Sequence, residues 1–406
     1  MNIWEVYKQR GFFAQCTDEA GLVAAGQEGP LTGYIGFDPT ADSFHAGHLI
    51  PLMALVHFQR AGHRPIALMG VGTAMIGDPT GKNEMRQMLS VEQLDRNMTG
   101  IERQLRTLLD FDAGAILANN ADWLRKLNYI EFLRDIGPHF SVNRMLTFET
   151  FRMRLEGNGL SFIEFNYPLL QSYDFLELSR RHGCVLQMGG DDQWANIISG
   201  VDLVRRMERK PVFGWTFPLH TTASGAKMGK TEKGAVWLDP AKTTPFDYYQ
   251  YWINVDDRDV GKCLRLFTLM DVGEIAKLEA LQGADIRKAK QVLAYETTRF
   301  IHGDEEAKRA EKGARALFGG PGAADMEDVP STVLALTEAF PISEALASVG
   351  LAKSRSEARR LIKQGGVSVN DRRVESEEEM LSSADLKDGA ILLRVGKKKY
   401  HRLVVQ

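Results

Sequence analysis

Two short clusters of histidine, lysine and glycine carry side chains suited to phosphate chemistry. The first is His45-Ala-Gly-His48, in which two imidazoles on one helical face can both donate to a phosphoryl group that gains charge. Gly47 has no Cβ, so a nucleotide can come close to the backbone. We expect Asp42 or Ser43 to be the N-cap of this helix, whose free amide groups and dipole attract phosphate. A zinc site is less favoured, because no third ligand lies nearby in the sequence.

The second cluster is Lys227-Met-Gly-Lys230-Thr231, a basic loop about 180 residues further along the chain. Taken singly, each cluster is also typical of packed or solvent-exposed residues without a function. The sequence does not match two other phosphate-binding motifs. Met75 replaces the third glycine of a dinucleotide fingerprint that begins at Gly70, and residues 225–231 are one residue short of a P-loop. A nicotinamide-dependent enzyme and a P-loop enzyme are therefore disfavoured.

The histidine cluster lies between two predicted strands. Apolar residues 31–37 and 65–70 predict buried strands, and residues 49–59 have the apolar spacing of a helix. Strand, helix and strand within about forty residues predict a βαβ unit and a parallel sheet. Further strands are predicted at 185–189 and 211–219. The predicted fold class is α/β, with a Rossmann-like parallel-sheet catalytic domain, then an α-helical domain and a small α+β domain.

Charge divides the chain into a large acidic part and a small basic part. The net charge is −3, but residues 341–406 hold thirteen Lys and Arg against nine Asp and Glu. The tail therefore carries +4 and residues 1–340 carry −7. Two short helices and a hairpin at 391–395 and 400–405 are predicted in the tail. The predicted domains are a catalytic domain at 1–236, a helical domain at 237–318, a glycine- and proline-rich linker at 319–335 and the tail domain at 336–406.

The composition excludes several classes of protein. The 406 residues are 44% hydrophobic, 25% charged and 9% aromatic, which excludes a wholly disordered chain and a collagen-like fibre. Cys16, Cys184 and Cys263 lie far apart without a Cys-x-x-Cys pair, so neither a disulfide framework nor a thiolate zinc site is predicted. No apolar run reaches the length of a membrane span, and residues 1–10 lack the apolar core of a signal peptide. We expect a cytoplasmic protein with no membrane partner and no resident metal.

An early His-x-Gly-His and a late Lys-Met-x-Lys-Ser/Thr in a parallel α/β body resemble the paired signature of the class I aminoacyl-tRNA synthetases. Further segments are similar to the bacterial tyrosyl-tRNA synthetases, and the resemblance covers essentially the whole chain. These segments are Tyr34-Ile-Gly-Phe-Asp-Pro-Thr40, Gly77-Asp-Pro79, Asn119-Asn-Ala-Asp-Trp123, and residues 167–175 and 187–194. The chain departs from the family pattern at Ala46, at Gly229 and at Asp191, which adds a negative charge beside the expected ribose site.

The resemblance assigns a role to each matching residue. Tyr34 and Asp174 would hydrogen-bond the phenol of tyrosine. The α-ammonium group would be held by Asp78, Tyr167 and Gln171, with Gln193 near the carboxylate. The residues that would contact the adenosine are Gly36, Asp38, Gly47, Gly190 and Asp192. The residues that would bind the phosphates of ATP and the leaving pyrophosphate are Thr40, His45, His48, Lys82, Arg86, Lys227, Lys230 and Thr231.

A pocket built for a phenol needs a hydrogen-bond donor and an acceptor, and Tyr34 with Asp174 supply both. Phenylalanine would leave these buried groups unpaired. The rejection of phenylalanine by tyrosyl-tRNA synthetases, about 10⁵-fold without editing, is the established example of this effect. We therefore expect no editing domain. Asp174 also lies within an apolar run of the sequence, where an unpaired charge would be costly.

The implied activity is that of a tyrosine–tRNA ligase. Tyrosine and ATP would give tyrosyl-adenylate and pyrophosphate, and the tyrosyl group would then pass to the 3′ end of tRNA(Tyr). ATP is a substrate, and Mg²⁺ is expected with it, held largely by the phosphates. Two alternatives stay open: another class I ligase such as a tryptophanyl-tRNA synthetase, and a non-catalytic RNA-binding paralogue. The intact histidine and lysine clusters oppose the paralogue, and Tyr34 with Asp174 oppose the tryptophan enzyme.

The resemblance also implies a homodimer and contacts with RNA but not with DNA. The family is homodimeric, and the apolar segment 130–145 is the predicted part of the contact between copies. Residues 245–318 resemble an anticodon-side domain, and the tail resembles a ribosomal S-four-type RNA-binding domain. Cations on one tail helix and at the hairpin turn suit contact with an RNA backbone. They are Lys353, Arg355, Arg359, Arg360, Lys363 and Lys397 to Lys399.

Overall fold

The computed structural model describes residues 2–80, 89–157, 159–223, 225, 228–231, 234–318, 329–334, 339–370, 372–387, 389–396 and 399–405. The chain forms two compact units. The first unit holds residues 1–239 and 258–280, and the second holds residues 240–257 and 281–406. The predicted domain boundaries stay a prediction. Residues 258–280, which that prediction assigns to the helical domain, pack with the first unit.

A five-stranded parallel sheet lies at the centre of the first unit, as the predicted fold class requires. Its order is β3-β2-β1-β4-β5, with β1 at Thr32–Phe37, β2 at Arg64–Met69, β3 at Ile116–Asn119, β4 at Leu186–Gly190 and β5 at Phe213–Phe217. Strand β2 is buried from Pro65 to Met69, as expected where helices cover both faces of a sheet. The strand order reverses between β1 and β4, and ligands of such sheets bind at the carboxyl ends of the strands beside the reversal.

Residues 14–17, here called the edge segment, run antiparallel along the outer side of β5. The amide of Ala14 donates to the carbonyl of Thr216 at 2.8 Å, and the amide of Thr216 donates to the carbonyl of Gln15 at 2.9 Å. The amide of Thr17 then donates to the carbonyl of Gly214 at 3.0 Å. The edge segment therefore covers backbone groups that would otherwise lie open at the border of the sheet.

Helices connect and cover the strands of the first unit and build much of the second. In chain order they are α1 (Ile3–Arg10), α2 (Glu19–Glu28), α3 (Leu49–Arg60), α4 (Val71–Ala74), α5 (Val91–Leu108), α6 (Ala121–Leu124), α7 (Tyr129–Asp135), α8 (Val142–Met145), α9 (Glu149–Glu156), α10 (Phe162–His182), α11 (Trp194–Glu208), α12 (Pro245–Ile253), α13 (Val260–Phe267), α14 (Val272–Glu279), α15 (Ile286–His302), α16 (Asp304–Phe318), α17 (Ile342–Ser348) and α18 (Arg355–Lys363). Among the described residues, no helix is both long enough and apolar enough to span a bilayer.

Helix α10 carries three of the predicted tyrosine-binding residues on one face. Tyr167, Gln171 and Asp174 are spaced four and three residues apart, which puts their side chains on the same side of the helix. The helix begins with a capping box, in which the Ser161 hydroxyl accepts from the amide of Glu164 and the Glu164 carboxylate accepts from the amide of Ser161. This reciprocal cap fixes the start of the helix that presents the three residues.

An apolar core joins the sheet to helices α10 and α11. Ile66, Leu68, Phe175, Ile197 and Val201 are each 2% exposed or less. Full burial of such a side chain stabilises the fold by roughly 1.5–3 kcal/mol relative to an exposed position. The core therefore holds the helices that carry polar site residues against the strands that end at the site.

The second unit contains α12, α15 and α16, which pack against one another, and the small domain of the tail. After a two-stranded ribbon of the first unit, β6 (Lys230–Thr231) and β7 (Gly234–Ala235), the remaining strands are β8 (Ser331–Leu334), β9 (Phe340–Pro341), β10 (Val367–Val369), β11 (Arg372–Arg373), β12 (Met380–Leu381), β13 (Ala390–Val395) and β14 (Lys399–Val405). Antiparallel β13 and β14 confirm the predicted hairpin, and α17 and α18 confirm the two predicted tail helices. Ile342, Leu346, Ile362 and Ile391 lie in the buried core of this domain.

Candidate active site

A cavity of about 1040 Å³ opens at the carboxyl ends of the sheet strands. The predicted site residues that line it are Tyr34, Gly36, Asp38, Thr40, His45, Gly47, His48, Asp78, Tyr167, Gln171, Asp174, Gly190, Asp192 and Gln193. Lys82, Arg86 and Lys227 lie outside the described residues, and only the backbone of Lys230 and Thr231 is described. The structure therefore brings residues from widely separated parts of the sequence to one place, beside the reversal of strand order.

The phenol end of the predicted site is built around the carboxylate of Asp174, which is 2% exposed. One carboxylate oxygen accepts from the indole Nε1 of Trp123 at 2.7 Å, and the other accepts from Nδ2 of Asn120 at 3.0 Å. The guanidinium of Arg181 lies 5.2 Å from the Trp123 ring. A buried carboxylate without such donors would carry a large desolvation cost. The two donors therefore hold Asp174 in place while leaving it in contact with the cavity.

Burial raises the pKa of Asp174 to about 7, although the hydrogen bonds from Asn120 and Trp123 act to lower it. Tyr34 is also 2% exposed, and its hydroxyl has no hydrogen-bond partner among the described residues. Burial, and then the charge of Asp174, raise the pKa of Tyr34 well above its ordinary value. Tyr34 therefore stays a neutral donor and acceptor beside a carboxyl group that titrates near neutrality.

Hydrogen bonds connect the phenol end to the adenosine end of the cavity. Nδ2 of Asn120, which donates to Asp174, also lies 3.0 Å from the Thr73 hydroxyl, and that hydroxyl donates to Asp38 at 3.1 Å. Gly70 makes room for this arrangement, because a Cβ at that position would overlap the Asp38 carboxylate. A continuous chain from Asp174 through Asn120 and Thr73 to Asp38 results.

Two of the residues assigned to the α-ammonium group, Asp78 and Gln171, are joined through Gln193 and Asn196 in a second network. Nε2 of Gln193 donates to Asp78 at 2.8 Å. Nδ2 of Asn196 lies 3.0 Å from Oε1 of Gln193 and 3.2 Å from Oε1 of Gln171. Asp78 is 8% exposed and Tyr167 is 5% exposed. This network presents a carboxylate and amide oxygens to the cavity, which suits a bound ammonium group.

The histidine cluster forms a tight turn that differs from the prediction. The predicted N-cap at Asp42 or Ser43 is wrong: His45 is the N-cap of a short 3₁₀ turn, Ala46–His48, that leads into α3. Nδ1 of His45 accepts from the amide of Gly47 at 3.0 Å, and Nδ1 of His48 accepts from the amide of His45 at 3.2 Å. The imidazoles take the place that short polar side chains usually occupy at a helix start. Ser43 is engaged elsewhere, since its hydroxyl donates to the carbonyl of Phe44 at 2.7 Å.

These backbone contacts determine which ring nitrogens carry the protons. A ring nitrogen that accepts an N–H bond is unprotonated, so the proton of each neutral imidazole lies on Nε2. The two ring centroids are 4.1 Å apart, and both residues line the cavity. Burial, and then the charge of His45, lower the pKa of His48 to about 3. His48 is therefore a neutral Nε2–H donor at physiological pH.

The lysine loop meets the histidine turn through two glycines. Gly229 has φ +79°, and a Cβ there would overlap the amide nitrogen of Gly47 and lie 2.9 Å from the carbonyl carbon of Ala46. The amide of Val236 donates to the carbonyl of Gly229 at 3.0 Å, and the amide of Ala46 donates to the carbonyl of Val236 at 2.8 Å. Backbone packing thus explains the departure at Gly229, because any side chain would separate the two motifs.

The ribose end of the predicted site lies where β4 ends. Gly190 and Asp192 line the cavity, and a Cβ on Gly190 would lie 2.5 Å from the Asp192 carboxylate. Asp191 between them is not part of the lining. Its carboxylate accepts from Nε2 of Gln15 at 2.7 Å and from the Thr216 hydroxyl at 2.8 Å. The added charge at this family departure is thus turned toward the edge segment.

Several residues that build the site received no role from sequence reasoning. Asn120 and Trp123 stand in a segment that resembles the family, directly after β3, yet nothing in the sequence links them to Asp174. Thr73 and Asn196 lie in a short helix and in α11, without a motif of their own. Their positions after the ends of strands could have indicated that they lie at the site, because side chains there meet at one edge of a parallel sheet. Within the described ranges, no group of three or more His, Cys, Asp or Glu could hold a metal ion.

The parallel sheet, the histidine turn at its edge and the lysine loop that contacts this turn define a class I aminoacyl-tRNA synthetase. The family model "tRNA synthetases class I (W and Y)" matches residues 26–319, and the chain belongs to this family. Residues 323–403 match the model "Tyrosine--tRNA ligase SYY-like C-terminal domain". Two full-length curated relatives are tyrosine–tRNA ligases, and this chain has the same activity: it joins tyrosine to tRNA using ATP.

The chain is 53% identical over 408 residues to the tyrosine–tRNA ligase of Caldanaerobacter subterraneus subsp. tengcongensis, with 100% of both chains covered. It is 53% identical over 430 residues to that of Desulfosudis oleivorans, with 100% of this chain and 99% of the relative covered. A C-terminally truncated mitochondrial tyrosyl-tRNA synthetase of Aspergillus nidulans has TM-score 0.71 and 31% identity, covering 78% of this chain and 94% of that one. These relatives favour tyrosine over the tryptophan alternative and the non-catalytic paralogue.

Proposed function

We propose that tyrosine and ATP bind together in the cavity, with the phenol at Asp174 and the triphosphate at the histidine turn. The proposal is supported by a single cavity that reaches both ends of the site, because Asp174, His45 and His48 all line it. Its volume of about 1040 Å³ lies at the upper end of the range for small-molecule sites, roughly 300–1,000 Å³. An amino acid and a nucleotide can therefore occupy it side by side.

Tyrosine is selected by polar groups that phenylalanine leaves unpaired. The Asp174 carboxylate accepts the phenol O–H, and the Tyr34 hydroxyl pairs with the phenol oxygen. At the other end of the amino acid, Asp78, Tyr167 and Gln171 hold the α-ammonium group, and Gln193 lies near the carboxylate. The assignment is supported by the burial of Tyr34 and Asp174 and by the unpaired Tyr34 hydroxyl. A buried group without a partner costs about 1–3 kcal/mol, which the wrong substrate must bear.

The first reaction needs alignment and charge stabilisation rather than an enzyme nucleophile. A carboxylate oxygen of tyrosine attacks the α-phosphorus of ATP, the bond from that phosphorus to the bridging oxygen breaks, and pyrophosphate leaves with its electron pair. His45 and His48 donate from Nε2 to phosphate oxygens that gain charge, joined by Thr40. Because the backbone holds both imidazoles in the donating tautomer, no rearrangement is needed as charge develops.

The cations predicted for the leaving group complete this proposal. Lys82, Arg86, Lys227 and Lys230, with Thr231, would close on the pyrophosphate. Support comes from the backbone contact between Gly229 and the histidine turn, which brings the lysine loop to the phosphate end. Mg²⁺ would accompany ATP, bound largely by phosphate oxygens.

In the second reaction a terminal ribose hydroxyl of tRNA(Tyr) attacks the tyrosyl carbonyl carbon. The bond to the phosphate oxygen breaks, AMP leaves, and the ester to tRNA remains. Asp38, Gly190 and Asp192, with Gly36 and Gly47, hold the adenosine through both steps. A cytoplasmic setting for this reaction fits three free thiols, Cys16, Cys184 and Cys263.

Tyrosine-dependent exchange of labelled pyrophosphate into ATP tests the site. We expect Asp174→Ala to abolish most exchange with tyrosine while the KM for ATP changes far less, because the phenol loses its acceptor. Asn120 and Trp123 lose the same acceptor, so thermal unfolding of the variant is measured alongside. Asp112→Ala, at an exposed acidic residue, is the matched control. Equal loss of tyrosine and ATP binding would contradict the assigned role, and exchange driven by tryptophan would overturn the tyrosine specificity.

We infer a homodimer from an exposed apolar face on α7, α8 and the helices that follow. Tyr129, Ile130, Val142 and Phe162 are 57%, 70%, 56% and 69% exposed. Several large exposed apolar side chains on nearby stretches of the chain are a feature of proteins that bury them against a partner. They include the predicted contact segment 130–145. Light scattering should give twice the chain mass for the wild type and a lower mass for Ile130→Asp, with Val333→Asp in the second unit unchanged.

We further propose that the helical region 237–318 and the tail domain 336–406, beyond the linker 319–335, bind tRNA. In the tail, Arg355, Arg360 and Lys363 are ion-paired with Glu344, Glu357 and Glu377. Lys353 and Arg359 are exposed and form no ion pair within the described part of the chain. These two cations are therefore the better candidates for RNA phosphates, because no acidic partner must be displaced. Lys397 and Lys398 lie outside the described residues.

A further inference from the structure

The carboxylate of Asp191 joins two elements that are far apart in the sequence. One of its oxygens accepts from Nε2 of Gln15 at 2.7 Å and from the hydroxyl of Thr216 at 2.8 Å. Gln15 belongs to the edge segment, and Thr216 lies on β5 and is fully buried. Within the part of the chain that the structure describes, no cation forms an ion pair with this carboxylate. Two neutral donors therefore determine its orientation.

Asp191 is the first residue of a short turn that carries site residues. The 3₁₀ turn Asp191–Gln193 follows Gly190 at the end of β4 and leads into α11. Gly190 and Asp192 line the cavity on either side of Asp191, and Gln193 donates to Asp78 at 2.8 Å. Contacts that hold Asp191 in this turn therefore also help to position Asp192, the carboxylate assigned to the ribose.

Gln15 is the more adjustable of the two donors. Thr216 is held within the sheet, whereas Gln15 reaches Asp191 from the edge segment through a flexible side chain. The backbone on both sides prepares this reach: the amide of Gln15 donates to the Thr216 hydroxyl at 3.1 Å, and its carbonyl accepts from the amide of Thr216 at 2.9 Å. Gln15 thus binds both the carboxylate and its second donor.

We propose that Gln15 is a positioning residue for the ribose side of the ATP site and acts through Asp191. This inference rests on the proposed assignment of Gly190 and Asp192 to adenosine. With Gln15 in place, the charge of Asp191 is directed away from the nucleotide and the turn presents Asp192. Without it, only the Thr216 hydroxyl holds the carboxylate, which can then turn toward an anionic ligand, and the turn loses one of its two anchors.

The test is the KM for ATP and for tyrosine in pyrophosphate exchange, measured on the full chain. Gln15→Ala should raise the KM for ATP about tenfold, the effect of losing one hydrogen bond to a charged group. The KM for tyrosine should stay within about twofold, and kcat should change less than the KM for ATP. Gln15→Lys retains a donor and should restore the KM for ATP, whereas Gln15→Glu places two carboxylates together and should be worse than alanine.

Asp191→Ser supplies the second half of the experiment. If Gln15 acts through Asp191, the differences among Ala, Lys and Glu at position 15 disappear in the Asp191→Ser background. Gln59→Ala, which removes a surface glutamine that bonds to Asp110, is the matched control and should change neither KM.

Some results would contradict the role of Gln15 alone, and others would contradict the proposed site. Equal rises in both KM values, or an unchanged order at position 15 in the Asp191→Ser background, would overturn the positioning role. A wild-type KM for ATP in Gln15→Ala would overturn it as well. If instead the wild type exchanged pyrophosphate without tyrosine, or Asp174→Ala left tyrosine use intact, the proposed site itself would be wrong. Thermal unfolding of each variant identifies any loss that comes from instability alone.

Discussion

Removal of the indole N–H of Trp123 should weaken recognition of the substrate phenol without removing any group that touches it. Nε1 of Trp123 donates to Asp174 at 2.7 Å. Phenylalanine at this position keeps an aromatic ring beside Arg181 but has no donor. Trp123→Phe therefore removes this hydrogen bond together with part of the buried indole volume, and a second Trp→Phe variant is needed to account for the lost volume.

The expected effect follows from the charge on Asp174. A hydrogen bond to a charged group contributes about 1.5–3 kcal/mol, so kcat/KM for tyrosine should fall roughly 10- to 150-fold. The lost donor stabilises the ionised form, and its removal should raise the pKa of Asp174 above its wild-type value of about 7. The same loss corresponds to a rise of about one to two pKa units.

The activity with tyrosine should depend on pH through the ionisation of Asp174. In the proposed site, the ionised carboxylate accepts a hydrogen bond from the phenol O–H, so kcat/KM for tyrosine should fall as the pH drops through the pKa of Asp174. Burial raises that pKa most, hydrogen bonds from Asn120 and Trp123 lower it, and the charges of Asp38 and Glu177 raise it further. His48, with a pKa of about 3, stays neutral over the same range. In Trp123→Phe, the acid limb of the profile should therefore move to higher pH.

The assay is pyrophosphate exchange with tyrosine and with phenylalanine from about pH 6 to about pH 9. Trp215→Phe is the matched control, since its Nε1 donates to a backbone carbonyl, that of Phe12, at 2.6 Å. That variant should lose stability without a shift in the pH profile. An unshifted acid limb in Trp123→Phe, or equal losses with tyrosine and phenylalanine, would refute the reasoning.

Three further predictions concern the phosphate end and the tail. His45→Ala removes both a helix cap and a phosphate donor, so kcat for exchange should fall about 10²- to 10³-fold with little change in the KM for tyrosine; a change confined to that KM would count against it. Gly229→Ala should lower kcat at least about tenfold while equilibrium dialysis shows normal tyrosine binding, because its Cβ would overlap the histidine turn. Replacement of Lys353 and Arg359 by alanine should raise the KM for tRNA about tenfold and reduce the salt slope of tRNA binding by about 2; pyrophosphate exchange, measured alongside, should not change.

Local signals made much of the fold predictable. Apolar runs and helical spacing anticipated β1, β2 and α3. The shared helix face of Tyr167, Gln171 and Asp174 emerged only with the structure of α10. The error at the helix start arose because general N-cap preferences favour short polar residues. In this chain the two histidines instead bind backbone amides themselves.

Contacts between residues far apart in the sequence could not be predicted from its local patterns. Trp123 and Asp174 are 51 residues apart, and Gln15 and Asp191 are 176 apart. No periodicity or turn signal connects such pairs, because only the packing of strands and helices brings them together. The family resemblance named the groups that would touch substrate but not the residues that hold them.

The hydrogen-bonded chain from Asp174 through Asn120 and Thr73 to Asp38 has a thermodynamic consequence. Under the proposed assignment, a phenol bound to Asp174 shares this acceptor with Asn120, so we expect occupancy of the phenol end to change the affinity for a nucleotide at Asp38. Any such coupling is reciprocal: the factor by which tyrosine tightens ATP equals the factor by which ATP tightens tyrosine. Replacement of Thr73 by valine would interrupt the chain at its midpoint and bring that factor toward one.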